Sequence, residues 1–241
     1  MKTALVTGSS RGIGRAIAIR LAKDGYKVIV HGAGNVQKAE ETKQIIEQNG
    51  GVAIVEMADL CNVEETKALA ERIGKVDILV LNASLQYDTY LEDISADDML
   101  SHYTCNAVSS LLLVQHFVPF MKEQKWGRIV TVGSVNEKKP IPKLMAYSMS
   151  KAAQTNMALS LASQLAEYGI TVNNVAPGVI YTDRNVDALS NPEYAQKVTN
   201  SIPVGFYGEP RDCVGIVSLL CSDESRYITG QNIFVDGGKG L

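Results

Sequence analysis

The 241-residue chain has few of the residues that mark several protein classes: four cysteines, three histidines and one tryptophan, with aromatic residues at 6%. Cys61, Cys105, Cys213 and Cys221 form no CxxC pair and no regular framework, so they read as buried thiols of a reducing compartment. His31, His102 and His116 lie in no HExxH and have no thiol ligands nearby, which argues against a transition-metal site. No uninterrupted apolar run approaches the ~20 residues of a membrane helix. The first residues, Met1 to Gly8, run straight into a β-type stretch and leave no room for a signal peptide, so a cytoplasmic location is expected. An excess of one charge is missing too: 23 Lys plus Arg face 26 Asp plus Glu, for a net charge of -3. Without a basic stripe neither nucleic acid nor an anionic membrane is an expected partner, which leaves a small molecule.

What is present is a regular alternation. Short Val/Ile-rich runs at Ala4 to Thr7, Lys27 to His31, Val52 to Glu56, Asp77 to Leu81, Arg128 to Val132, Thr171 to Ala176 and Asn232 to Val235 read as buried strands. Between them, helical periodicity covers Ile13 to Lys23, Val36 to Gln48, Val63 to Ile73, Asp97 to Met121, Leu144 to Tyr168 and Arg211 to Leu220. Apolar strands joined by crossover helices predict an α/β fold, a doubly wound seven-stranded parallel sheet with helices on both faces. No repeat or linker divides it, so residues 1–241 read as one domain. The Asp97 to Met121 helix is apolar nearly all round, with Leu111 to Val114, Phe117 and Val118. Burial against a second subunit is expected for it, the alternative being cover by the domain's own loops.

Thr7-Gly8-Ser9-Ser10-Arg11-Gly12-Ile13-Gly14 follows the first strand and opens the first helix. A dinucleotide pyrophosphate needs such a turn, because it must approach the backbone closely and sit where unpaired helix N–H groups favour an anion. With 12 Thr and 20 Gly in the chain, the spacing arises by chance only about 0.7% of the time. Gly8, Ser10, Arg11, Gly12, Ile13 and Gly14 are therefore cofactor-binding candidates. The second strand ends in His31-Gly32-Ala33-Gly34-Asn35, without the carboxylate that would accept from an adenine-ribose 2′-hydroxyl. Arg11 can instead pair with a 2′-phosphate, so NADP is favoured, with NAD as the other option.

Tyr147 and Lys151 stand four apart on one helix face. The pair alone is weak, since ten tyrosines and the lysines present yield about 0.6 such spacings by chance. Ser134, thirteen residues earlier and just past a strand, belongs at the carboxyl edge of the sheet, where ligands bind. Hydride transfer to a carbonyl carbon also requires a proton at the oxygen, and a phenol near pKa ~10 needs help to act as a base at neutral pH. A nearby ammonium would lower it.

These residues resemble the short-chain dehydrogenases/reductases, single-domain NAD(P)-dependent enzymes with a Rossmann-type sheet, over essentially the whole chain. The resemblance implies Tyr147 as general acid/base, Lys151 as the group that lowers its pKa and holds the nicotinamide ribose, and Ser134 as the substrate-orienting hydroxyl. It implies Asn106 as a fourth catalytic residue supporting a water chain to Lys151. Asp59-Leu60 resembles the adenine-contacting pair, Asn82-Ala83 the Asn-Ala motif, and Pro177-Gly178 through Ile180 to Thr182 the loop that meets the nicotinamide amide. Val235-Asp236-Gly237-Gly238 resembles the usual ending, and a homotetramer built on the two long helices is implied. The family's Asn-Asn-Ala-Gly reads Leu81-Asn82-Ala83-Ser84 here, which puts a hydroxyl beside the cofactor in place of a glycine.

Specificity is expected in Ser84 to Leu91, Asn136 to Leu144 and Arg184 to Phe206, the last as a lid. Lys138, Lys139 and Lys143 could attract an anionic substrate, or could be a solvated loop. A 3-oxoacyl-(acyl-carrier-protein) reductase is the main alternative within the family. Tyr168 weighs against it, because those reductases commonly carry a basic residue at that place before Gly-Ile-Thr-Val-Asn. A catalytically silent nucleotide-binding protein is the alternative from a different class.

Overall fold

The computed structural model describes residues 1–241. Seven parallel strands form one sheet in the order β3-β2-β1-β4-β5-β6-β7. They are β1 Thr3–Val6, β2 Lys27–Gly32, β3 Val52–Met57, β4 Ile78–Leu81, β5 Gly127–Val132, β6 Ile170–Pro177 and β7 Asn232–Val235. The helices are α1 Gly12–Lys23, α2 Val36–Gln48, α3 Val63–Ile73, α4 Ala96–Tyr103, α5 Ser109–Glu123, α6 Met145–Leu165, α7 Val186–Leu189, α8 Pro192–Asn200 and α9 Pro210–Leu220. The order runs outward in both directions from the β1/β4 pair. The connections leaving those two strands therefore diverge and open a crevice at their carboxyl ends.

Strand residues alternate between two cores because successive side chains point to opposite faces. Leu5, Ile29 and Leu79 join Leu69, Phe117 and Leu165 on one side, while Ala4, Val28 and Val80 join Ile17, Ile46 and Leu220 on the other. Burying a side chain such as Phe117 contributes roughly 1.5–3 kcal/mol. The two edge strands depart from the expected full burial. On β3, Val52 is 43% and Ile54 37% exposed, because no strand lies beyond it, and β7 is half-buried throughout. Three of the cysteines are buried, but Cys61 is exposed in the turn before α3, against expectation.

The expected long helix runs from Ala96 to Glu123 and is long and apolar enough to cross a membrane, yet half of its apolar window is buried within the protein. It is not regular. A π turn at Thr104–Val108 separates α4 from α5. The second long helix ends one turn early as α6, and Ala166–Tyr168 tightens into a 3₁₀ turn before left-handed Gly169. The segment expected as a lid, 184–206, carries α7 and α8, the latter begun by Asn191, whose side chain accepts the Tyr194 N–H at 3.0 Å.

Candidate active site

The crevice is laced shut at its base. Thr7 Oγ1 accepts the N–H groups of Asn82 (2.9 Å) and Ala83 (3.0 Å), and the Asn82 amide donates to the carbonyls of Thr7 (2.9 Å) and Gly8 (3.1 Å). The turn comes so close to β4 that a Cβ on Gly14 would overlap the Gly8 carbonyl and lie 2.5 Å from Asn82 Nδ2. Gly8 and Gly12 are both left-handed, at φ +65° and +57°, a conformation costly for any residue with a Cβ. Arg11 caps α1 with extended backbone but no side-chain bond, and the first turn has no acidic residue. The leading N–H groups of α1 are thus left for an anion.

Two residues outside the expected set hold this turn. The Gly8 N–H donates to His31 Nδ1 (3.0 Å), which puts the imidazole proton on Nε2 against the Ala58 carbonyl (3.1 Å). Burial pushes His31 down to about 4, so the ring stays the neutral acceptor the turn requires. Arg15 grips the Ser10 carbonyl through Nε (3.0 Å) and Nη2 (2.6 Å). A lone His at a strand end and an Arg inside a helix carry no sequence signal for either task.

At the far end of the turn the stretch after β2 lacks a carboxylate, but the fold supplies one. Asp183, from the loop after β6, places Oδ2 3.9 Å from Arg11 Nη1 and 3.2 Å from Lys38 Nζ. Arg11 is therefore paired, and Lys38 joins it as a second cation that the sequence reading did not single out. Thr182 lies over the turn, 3.5 Å from where a Gly12 Cβ would stand. Gly178 donates its N–H to the Val235 carbonyl (2.9 Å), Pro177 ends β6 and Ile180 is buried. Asp59 is exposed and bound to the Cys61 N–H (2.9 Å), while the Leu60 side chain belongs to the core.

Tyr147 and Lys151 occupy the first two turns of α6, 6% and 1% exposed, and Ser134 stands just beyond the end of β5. Ser134 Oγ accepts the Asn136 N–H (3.2 Å) and lies beside the Tyr147 phenol, where it favours the phenolate. Burial outweighs it and raises the Tyr147 pKa, the opposite of the expected lowering; Arg184 opposes the rise and Glu137 adds to it. Lys151 donates to the Val132 carbonyl (2.8 Å) and Gln154 Oε1 (2.9 Å), and burial, with Arg184, pushes it down to about 7.

Asn106 sits in the π turn, a distortion common at functional sites. Its amide accepts from Leu85 N–H (2.7 Å) and donates to the Leu85 carbonyl (3.0 Å) and Ser150 Oγ (2.8 Å), so it does not bond Lys151 directly. Protein atoms make the link instead: Gln154 Nε2 donates to Ser110 Oγ (2.9 Å), which donates to the Asn106 carbonyl (3.0 Å). Glu137 was also missed by the sequence reading. It takes bonds from Thr155 Oγ1 (2.6 Å) and Asn232 Nδ2 (2.6 Å) and so ties the Ser134 turn to α6 and β7.

A family model described as enoyl-(acyl carrier protein) reductase matches residues 8–239. The 3-oxoacyl-(acyl-carrier-protein) reductase FabG of Staphylococcus aureus is 37% identical over 98% of this chain and 97% of its own. Glucose 1-dehydrogenase 2 of Bacillus subtilis is 36% identical over 100% and 95%. The chain belongs to the short-chain dehydrogenases/reductases. A crystal structure of a 3-oxoacyl (acyl-carrier-protein) reductase from Agrobacterium tumefaciens with NADP bound superposes on it with a TM-score of 0.94, at 38% identity, covering 98% of this chain and 93% of that one. This short-chain dehydrogenase/reductase is accordingly an NAD(P)-dependent oxidoreductase.

On the substrate side of this short-chain dehydrogenase/reductase, the loop lysines are all engaged. Lys138 lies over the Phe234 ring at 5.3 Å, Lys139 donates to the carbonyls of Lys239 and Leu241 at 3.0 Å, and Lys143 pairs with Asp88 at 2.7 Å. Of the three, only Lys143 has a carboxylate partner. A groove of about 720 Å³ between α5 and α6, lined by Leu111, Val118, Met157 and Leu161, lies apart from Tyr147.

Proposed function

We propose that this chain transfers a hydride between NADP and the carbonyl or secondary-alcohol carbon of a small substrate, with Tyr147 as general acid/base. One observation carries the reading: Ser134, Tyr147 and Lys151 meet at the carboxyl edge of the sheet, on the crevice that the glycine turn opens. When bound, the nicotinamide supplies or accepts the hydride. Gly8, Ser10, Gly12, Ile13 and Gly14 hold the pyrophosphate, and Arg11 with Lys38 faces the 2′-phosphate. Asp59 and Leu60 border the adenine, Asn82 and Ala83 the ribose side, and Pro177, Gly178, Ile180 and Thr182 the nicotinamide amide.

In the reductive direction Ser134 Oγ and Tyr147 Oη hold the carbonyl oxygen, and Tyr147 donates its proton as negative charge develops there. The buried phenol is protonated at neutral pH, as the acid in that direction must be. Lys151 holds the nicotinamide ribose and, with its ammonium, stabilises the phenolate left behind. Asn106 positions the Leu85 backbone and, through Ser110 and Gln154, the lysine. We further read residues 1–241 as one catalytic domain, paired through the α5/α6 groove toward a homotetramer in the cytoplasm.

Purified protein with NADPH and a panel of ketones tests the proposal. Tyr147→Phe is expected to lower kcat by ~10²–10⁴-fold with little change in NADPH affinity. Undiminished turnover by that variant overturns the assignment, and the absence of turnover on any ketone or alcohol favours the silent nucleotide binder. The second reading, a 3-oxoacyl-(acyl-carrier-protein) reductase, is favoured by the 37% identity to FabG. Tyr168, whose ring is covered by Lys122 at 4.2 Å, stands where those reductases carry a basic residue. Carrier-linked and free 3-oxoacyl substrates, compared by kcat/KM, separate the two readings.

A further inference from the structure

We propose that Arg184 is the anion-recognition residue of the substrate site and that the carbonyl substrate carries a carboxylate. The inference rests on hydride transfer at Tyr147 and names the substrate class. Arg184 leaves the loop after β6, two residues past Thr182, and reaches across the crevice to the loop after β4. There Nη1 donates to Gln86 Oε1 (3.2 Å), and Nη2 donates to the carbonyl (3.0 Å) and hydroxyl (3.1 Å) of Ser84. The landing point is fixed from both sides, since Asn82 is tied to the glycine turn and Leu85 to Asn106. The guanidinium thus spans the opening between the cofactor turn and the Tyr147 chamber, close enough for its charge to act on both Tyr147 and Lys151.

All three of its acceptors are neutral. Lys143 has Asp88, and Arg11 and Lys38 share Asp183, whereas buried Lys151 bonds only the neutral Val132 carbonyl and Gln154. Arg184 has no carboxylate partner, and it is exposed. The exposed guanidinium is open to an incoming ligand, and its planar fork matches a carboxylate. The charged and titratable groups facing the chamber are Lys151 and Tyr147 from α6, Glu137 from the turn after β5 and Cys105 from the π turn. Glu137 is already bound by Thr155 and Asn232, so a carboxylate arriving with the substrate would meet no competing protein carboxylate at Arg184. Ser84, the residue that replaces the family glycine, then has a purpose: its hydroxyl anchors the arginine over the site.

Acetoacetate and levulinate, each compared with its methyl ester, provide skeletons that differ in charge. With NADPH, wild type is expected to favour the acids at least tenfold in kcat/KM. Arg184→Gln should cut that acid-to-ester ratio at least tenfold through the KM of the acid, Arg184→Lys should recover part of it, and Ser84→Gly should cut it less. A wild-type ratio near one, or an unchanged ratio in Arg184→Gln, overturns the inference while leaving hydride transfer standing. A loss confined to NADPH affinity overturns it too, by assigning the guanidinium to the cofactor. Calorimetric titration of acetoacetate into NADP-loaded protein separates the two proposals. Arg184-dependent binding without turnover keeps the anion site and removes the hydride-transfer reading, whereas neither binding nor turnover removes both.

Discussion

The two sides of the crevice are built by different means. Around the glycine turn on the nucleotide side the contacts run through the main chain: glycines where a Cβ would collide, N–H groups facing His31 and Thr7, and the Ser10 carbonyl held by Arg15. On the substrate side single long side chains span loops far apart in sequence, such as Arg184 to Ser84 and Lys143 to Asp88. Backbone geometry admits few residue types and leaves a motif. A side-chain bridge admits many partners and leaves none. A shared cofactor and a private substrate therefore sit on one sheet without interfering.

The sharpest way to break the contrast is at Gly14. Gly14→Ala drives a methyl into the Gly8 carbonyl and the Asn82 amide, and is expected to cost ~1–3 kcal/mol of stability. NADPH affinity should fall with it by more than tenfold, read by fluorescence titration. Gly215→Ala, in α9 with nothing within 4 Å, should be neutral or stabilise by up to ~1 kcal/mol in the same melts.

His31 ties the nucleotide side to pH. Its folded pKa of about 4 lies below the ordinary ~6.5, so the unfolded chain takes up this proton first and folding is favoured by its absence. The contribution is complete above pH ~6.5 and is lost as pH falls toward 4, by ~3 kcal/mol in all. His31→Asn keeps an acceptor for the Gly8 N–H but cannot ionise, so urea midpoints followed across that window should flatten. An unaltered slope would assign the acid sensitivity elsewhere. The smallest effect is expected at Lys38. Lys38→Ala should weaken NADPH binding by about three- to fivefold, the scale of one partly exposed ion pair, and leave NADH unaffected. Equal loss for both cofactors would place Lys38 outside the 2′-phosphate site.

Much of this was legible in the chain. The strand runs gave the seven strands to within a residue at either end, because buried parallel strands are continuous apolar runs. The glycine turn and the Ser134, Tyr147, Lys151 set carried the reaction class. Three features escaped for physical reasons. Edge strands look like central ones when only composition is read, yet Val52 and Ile54 are open to water. The direction of the Tyr147 shift depends on burial, which only the packed structure shows. Asp183, Glu137, Gln154 and Arg184 act across 18 to 145 residues of sequence on partners that no local pattern names.

The π turn has a consequence for how the chain can change in length. It contains one residue more than a regular helix would need between the same two ends. Deleting a residue there would let the helix close into ordinary α geometry between the same two ends, removing the bulge while α4 and α5 keep their relation. Asn106 would lose the bulged position from which it meets Leu85 and Ser150, while the capping box of Ser95 and Asp98 at the start of α4 would stay in place. An exposed loop elsewhere absorbs an insertion or a deletion, but this segment must keep its extra residue if Asn106 is to reach Leu85 and Ser150.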